Sequence, residues 1–101
     1  MEKYQKALDR FFKKNKWSYW SELSILARLT EEVGEFARLV NHLYGDKKKK
    51  LDEPGQNLEE EIGDILYTLI CFANAHNLSL DRAIQMSLNK SNRRDKHRFK
   101  K

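Results

Sequence analysis

Carboxylates are the residues of this chain best placed to do chemistry, and they are bunched. Seven of its fifteen acids fall in two short stretches, Glu31-Glu32-Val33-Gly34-Glu35 and Glu59-Glu60-Glu61-Ile62-Gly63-Asp64. In a helix, residues three or four apart share a face, so Glu31 with Glu35, Glu32 with Glu35, and Glu61 with Asp64 would each point the same way. Like charges at that spacing destabilise an isolated helix, which predicts a cation to neutralise them, and a hard divalent metal suits oxygen ligands. Glu32 is the anomaly within the first stretch. Its neighbours along one helical strip are Ile25, Leu29, Phe36 and Leu39, so a carboxylate stands where a packed helix presents an apolar side chain. A partly buried carboxylate must be paired, protonated or metal-bound. A salt bridge to Arg28 in the preceding turn is the plain structural alternative. Glu59 and Glu60 have a simpler explanation, since acids in a first helical turn favour its dipole.

The elements that must position these groups all read as helices. Tyr4, Ala7, Leu8, Phe11 and Phe12 recur at helical spacing and predict a first amphipathic helix. Asn15 to Ser21 breaks the pattern and reads as a loop, with Ser18 or Ser21 capping the next helix. Its aromatics Trp17, Tyr19 and Trp20 either anchor the loop to the core or offer Trp17 or Trp20 as a platform on which a planar base stacks. A second helix is predicted from about Glu22 to Leu43, with Leu26, Leu29, Val33, Phe36, Ala37 and Val40 as its principal apolar stripe. Gly34 in its interior suggests a close approach by a neighbouring helix or ligand. Gly45 ends that helix, and the connection Asp46 to Gly55, with its lysines 47 to 50 and the chain's single proline, reads as a mobile, solvated loop.

Asn57 is the expected cap of a third helix reaching about His76. Leu58, Ile62, Ile65, Leu66, Leu69, Phe72 and Ala73 are its apolar positions, and Asn57, Glu61, Asp64, Thr68 and Cys71 form a polar or small strip with room for something that is not protein. Ser79 caps a fourth helix carrying Leu80, Ala83, Ile84, Ser87 and Leu88 on one face. Helical structure is expected to give way at Asn89-Lys90-Ser91-Asn92-Arg93-Arg94, with the tail from about 95 to 101 disordered. The fold class is therefore all-α, about four helices in one domain spanning 1–101. A chain of 101 residues buries only a small core, which oligomerisation would enlarge.

Composition excludes several function classes. With 40% hydrophobic and 35% charged residues, four glycines and one proline, the chain is a helical globular protein and not a disordered one. A single cysteine, Cys71, rules out an intrachain disulfide framework and is read as a small buried hydrophobe. His42, His76 and His97 match no zinc spacing. No apolar run is long enough for a membrane span or a signal peptide, so a cytoplasmic protein is expected. The net charge of +5, weighted towards the lysines at 47 to 50 and the segment from Lys90 onward, suits a polyanionic partner. No glycine-rich phosphate loop is present, so any phosphate handling would have to go through metal and side chains.

Glu-Glu-x-x-Glu at 31 to 35, followed after 25 intervening residues by Glu61-x-x-Asp64 in an all-helical chain, resembles the MazG-type nucleoside triphosphate pyrophosphohydrolases. The likeness covers about Leu23 to Arg94, and Lys90-x-x-Arg93-Arg94 is similar to the basic segment that closes the family's site. The resemblance implies an all-α bundle completed as a homodimer or homotetramer, and hydrolysis of a nucleoside triphosphate to monophosphate and pyrophosphate with Mg²⁺, or Mn²⁺ in its place. By that analogy Glu32, Glu35, Glu61 and Asp64 hold the metals, Glu31 positions or deprotonates the attacking water, and Lys90, Arg93 and Arg94 meet the phosphates. A housecleaning role against non-canonical nucleotides is the family's usual implication. Phosphoribosyl-ATP pyrophosphohydrolase shares the fold and the acidic motifs, and growth without histidine would separate the two. A non-catalytic basic module binding nucleic acid through the lysine loop and tail is the alternative from another class. It leaves Glu32, Glu35, Glu61 and Asp64 unexplained, so a nucleic-acid partner is not expected.

Overall fold

A computed structural model describes residues 1–45 and 57–95. The lysine loop and the basic tail from 96 on, expected to be mobile and disordered, lie outside the described residues. Four α-helices follow in order: α1 (Glu2–Lys14), α2 (Glu22–Tyr44), α3 (Leu58–Ala75) and α4 (Leu80–Asp95). No strand occurs among the described residues. The chain forms two compact units, one of Met1–Ser18 with the chain from Ala73 on, the other of Tyr19–Phe72.

In the first unit, α1 closes with the residue pattern of a Schellman motif. Trp17 N–H donates to Phe12 O at 2.8 Å and Lys16 N–H to Lys13 O at 3.1 Å, so two otherwise orphaned carbonyls are satisfied. The motif requires a left-handed residue, and Lys16 supplies it at φ 58°. The Trp17 ring meets Phe12 and Phe11 edge-on at centroid distances of 5.6 and 5.2 Å, which is the apolar contact such an ending favours. The same pattern ends α3, with Leu78 N–H on Ala73 O, Asn77 N–H on Asn74 O, and Asn77 at φ 55°. Lysine carries a steric cost in that region which glycine lacks, so Lys16→Gly is expected to stabilise the fold by about 0.5–1 kcal/mol, read as a higher urea midpoint at unchanged slope.

Gln5 joins α1 to the turn between α3 and α4. Its amide oxygen accepts from Leu80 N–H at 2.9 Å, its amide nitrogen donates to Leu78 O at 2.8 Å and Asn74 Oδ1 at 3.1 Å, and Asn74 Nδ2 returns a bond to Gln5 O at 2.9 Å. Sequence periodicity gives no sign of this network, because Gln5 reads as an ordinary polar position beside the apolar stripe. Ser79 caps α4 as expected, its hydroxyl accepting from Arg82 N–H at 3.2 Å. The helix does not dissolve at Asn89. It runs to Asp95 with Lys90, Arg93 and Arg94 exposed on it. No helix breaker lies between Leu80 and Asp95, lysine and arginine are good helix formers, and Arg93 and Arg94 in the last turn suit the dipole, so polarity there ends the apolar stripe and not the helix; Ile84 and Leu88 of that stripe are themselves exposed.

The second unit holds the acidic motifs. Ser21, not Ser18, caps α2, its hydroxyl accepting from Ser24 N–H at 3.3 Å. Gly45 closes it at φ −95°, where a Cβ would meet Asn41 O at 2.7 Å and Asn41 Oδ1 at 2.8 Å, so glycine is required there by space. At Gly34 a Cβ would meet nothing within 4 Å, so among the described residues no neighbouring helix makes the close approach expected there. Asn57 Oδ1 accepts from Glu60 N–H at 2.7 Å and starts α3.

The face that each helix buries also departs from the apolar stripes. α2 buries Ile25, Glu32 and Leu39, while Leu26 and Val33 of the expected principal stripe stay 57% and 47% exposed. α3 buries Glu61, Thr68, Ile70, Cys71 and Ala73; the first two and Cys71 come from its polar strip, Ala73 is an expected apolar position, and Ile62 and Leu66 stay exposed at 45% and 39%. Among the described residues no helix is long and apolar enough to cross a membrane.

Candidate metal centre

Turning the carboxylate strips inward has a direct electrostatic consequence. Glu32 on α2 and Glu61 near the start of α3 are buried, with 6% and 3% of their surface exposed, while Asp64 one turn along α3 is exposed. One carboxylate oxygen from each of the three lies within 4.8 Å of the others. Glu61 projects from the first turn of α3, so the acidic start that suits the helix dipole also carries a site residue. Thr68 on the same strip satisfies its hydroxyl locally on Asp64 O at 3.0 Å.

Neither buried carboxylate is satisfied. Glu32 Oε1 accepts from Arg28 Nε at 3.0 Å, the salt bridge that the sequence offers as the plain alternative, but Glu32 Oε2 has no hydrogen-bond partner, and neither does Glu61 Oε2. A buried anion left in that state is costly. Burial pushes the Glu61 carboxyl above its ordinary value, and the charge of Glu35, then those of Asp64, Glu32 and Glu60, push it further. The orphaned oxygens, their convergence and their purely oxygen chemistry fit a hard divalent cation.

Of the residues singled out from sequence, the fold brings Glu32, Glu61 and Asp64 together. Glu35 is exposed and stands outside that trio, yet its charge is the largest that a neighbour exerts on Glu61. Glu31 is exposed and also outside the trio. Trp20 belongs to the same unit and is half exposed, with the Arg28 guanidinium 5.6 Å from its ring centroid. Trp17 belongs to the other unit, packed on the end of α1. Lys90, Arg93 and Arg94 are exposed on α4, Lys90 and Arg93 beside an open groove with Met86 and Asn89. Burial raises the Cys71 thiol, so it remains an inert thiol and no nucleophile. Tyr67, whose hydroxyl burial also raises while the Arg28 charge opposes the shift, carries no signal in the sequence because it reads as one more aromatic of a mostly apolar helix.

Residues 20–99 match the MazG nucleotide pyrophosphohydrolase domain. The uncharacterized protein YpjD of Bacillus subtilis (strain 168) is 48% identical over 99 residues, covering 98% of this chain and 89% of that protein, and YvdC of the same organism is 26% identical over 92% and 93%. The crystal structure of YPJD from Bacillus subtilis superposes with a TM-score of 0.82 at 46% identity, covering 94% of this chain and 95% of that one. That of the Bacillus-conserved MazG protein, a nucleotide pyrophosphohydrolase, gives 0.77 at 43% identity over 94% and 92%.

Proposed function

Because the chain belongs to the MazG nucleotide pyrophosphohydrolase family, and is a hydrolase of that kind, we propose that it cleaves nucleoside triphosphates, ribo or deoxy, to monophosphate and pyrophosphate in a reaction that depends on Mg²⁺, with Mn²⁺ as a substitute. The observation that carries the metal dependence is the pair of buried, unpartnered oxygens, Glu32 Oε2 and Glu61 Oε2, converging with Asp64. Glu32, Glu61 and Asp64 would hold the ion, with Glu35 beside Glu61 completing the set. A divalent ion there would polarise a phosphoryl oxygen and neutralise charge on the departing pyrophosphate.

The chain's own groups do the rest. Glu31, exposed and next to the acidic cluster in sequence, positions the attacking water and accepts its proton. Lys90, Arg93 and Arg94 bind the triphosphate, the arginines through their two-pronged guanidinium. Trp20, or Trp17, stacks the base. The whole chain acts as one cytoplasmic pyrophosphohydrolase domain that removes non-canonical nucleotides. A second copy of the chain, in a dimer or a pair of dimers, covers the apolar residues left exposed on α2 and α3. Membership of an enzyme family argues against the non-catalytic basic module.

The test is a panel of canonical and modified nucleoside triphosphates incubated with Mg²⁺ or Mn²⁺, with monophosphate, pyrophosphate and orthophosphate detected separately. Monophosphate and pyrophosphate are expected. Diphosphate and orthophosphate would place cleavage at the wrong phosphorus. Glu35→Gln and Asp64→Asn are expected to keep the helical fold by circular dichroism and to lose turnover and magnesium binding, and retained activity in either would remove it from the site.

A further inference from the structure

Arg28 makes two contacts that join parts of the candidate site otherwise treated separately. Its Nε lies 3.0 Å from Glu32 Oε1, and its guanidinium carbon lies 5.6 Å from the Trp20 ring centroid. One half-exposed side chain therefore neutralises the buried carboxylate and covers one face of a half-exposed indole. Resting on the metal-dependent reading above, we infer that Arg28 is a positioning residue, a displaceable counter-cation that holds Glu32 and covers Trp20 until the Glu32 carboxylate turns to a divalent ion, whereupon the indole is uncovered for a nucleobase.

The strengths of the two contacts support displacement. The Arg28 end of the ion pair is half exposed and so partly screened by water, although the Glu32 end is buried, and the stacking of a cation on a half-exposed indole is modest. Arg28 leaves Glu32 Oε2 unpartnered, so its charge only partly compensates the cluster, and a divalent ion at the trio would offer the same carboxylate twice the charge. Once released, the guanidinium is a free fork for a phosphate or carbonyl oxygen. Trp17 has no such coupling, because its ring packs on Phe11 and Phe12 at the end of α1. Of the two tryptophans, the structure thus favours Trp20 as the base platform and ties its availability to the state of Glu32.

The experiment uses the full chain and Mg²⁺ alone, with no nucleotide and no turnover. Calorimetric titration and tryptophan emission are read on the parent chain, Arg28→Met, Arg28→Lys and Trp20→Phe, each first shown to be helical by circular dichroism. Removal of a weak competing cation is expected to tighten Mg²⁺ binding in Arg28→Met by about twofold to fivefold, while Arg28→Lys, which keeps the charge, binds as the parent does. Mg²⁺ is expected to change the emission of the parent, and that change is absent from Trp20→Phe and from Arg28→Met. Equal or weaker Mg²⁺ binding by Arg28→Met, or an emission change that survives in Trp20→Phe, overturns the role of Arg28 and leaves the metal centre standing. A parent chain that binds no Mg²⁺ removes the metal centre itself and this inference with it.

Discussion

Glu61→Gln is expected to melt at a higher temperature than the parent chain without divalent metal, and to lose turnover by about 10³-fold with it. Both effects come from one carboxylate. Glu61 is 3% exposed, its Oε2 has no partner, and burial together with Glu35, Asp64, Glu32 and Glu60 raises its pKa above 4.5. The folded protein therefore holds the Glu61 proton more tightly than the unfolded chain. Its contribution to stability is complete below pH 4.5 and is lost as pH rises through the elevated folded value. At neutral pH, above the ordinary carboxylate value, this buried and unpartnered group works against folding by about 1–3 kcal/mol. Glutamine keeps the shape, removes the charge, and brings an N–H that Glu32 or Asp64 can accept. At about 4–8 °C per kcal/mol for a chain of this size, the gain is readily measured by thermal melts. Mg²⁺ should raise the melting temperature of the parent and leave that of Glu61→Gln unchanged. A variant that melts lower than the parent in metal-free buffer would mean that the Glu61 oxygens are satisfied.

That inversion, a site residue whose removal stabilises the fold, is partly legible in the sequence. Glu32 stands out because it interrupts an apolar strip, and the structure buries that strip. Glu61 and Asp64 are legible as a pair on one face of a helix, and caps at Ser21, Asn57 and Ser79 mark where three helices start. Which face points inward is not legible. Counting apolar residues chooses Leu26 and Val33 on α2 and Ile62 and Leu66 on α3, whereas the single chain leaves them exposed and buries the carboxylates instead. Periodicity reports that a face is apolar and says nothing of whether the chain itself or another surface covers it. The end of α4 misleads for a related reason, since a loss of apolar periodicity at Asn89 looks like a loss of helix. Gln5 is invisible because its importance lies in partners distant in sequence, Asn74 and Leu80.

Those exposed faces lead to the other large effect. Replacing both Leu26 and Val33 by aspartate is expected to convert an oligomer to single chains and to abolish most turnover. On α2 they leave 57% and 47% of their surface in water, with Leu23 at 78%, and on α3 Ile62 and Leu66 add 45% and 39%. Leucine and valine are each worth about 1.5–3 kcal/mol when fully buried, so covering the exposed half yields about 1 kcal/mol apiece. In a two-fold interface every residue counts twice, which brings the two positions to about 4 kcal/mol, or about 10³-fold in the dissociation constant, before the added cost of enclosing the new carboxylates. In the single chain the same substitutions place charge on surface already half in water, so the helices themselves should persist. Light scattering coupled to size exclusion reads the mass, and circular dichroism reads the helices. A loss of mass with helicity retained is the expected pair of results. Site and surface meet in activity: α2 and α3 bring Glu32, Glu61 and Asp64 together while Leu26, Val33, Ile62 and Leu66 stay exposed, so covering those side chains with a second copy would steady the helices that carry the carboxylates. If the doubly substituted chain keeps both its mass and its turnover, the outward faces are not an interface, and the inward carboxylates must be held in place by this chain alone.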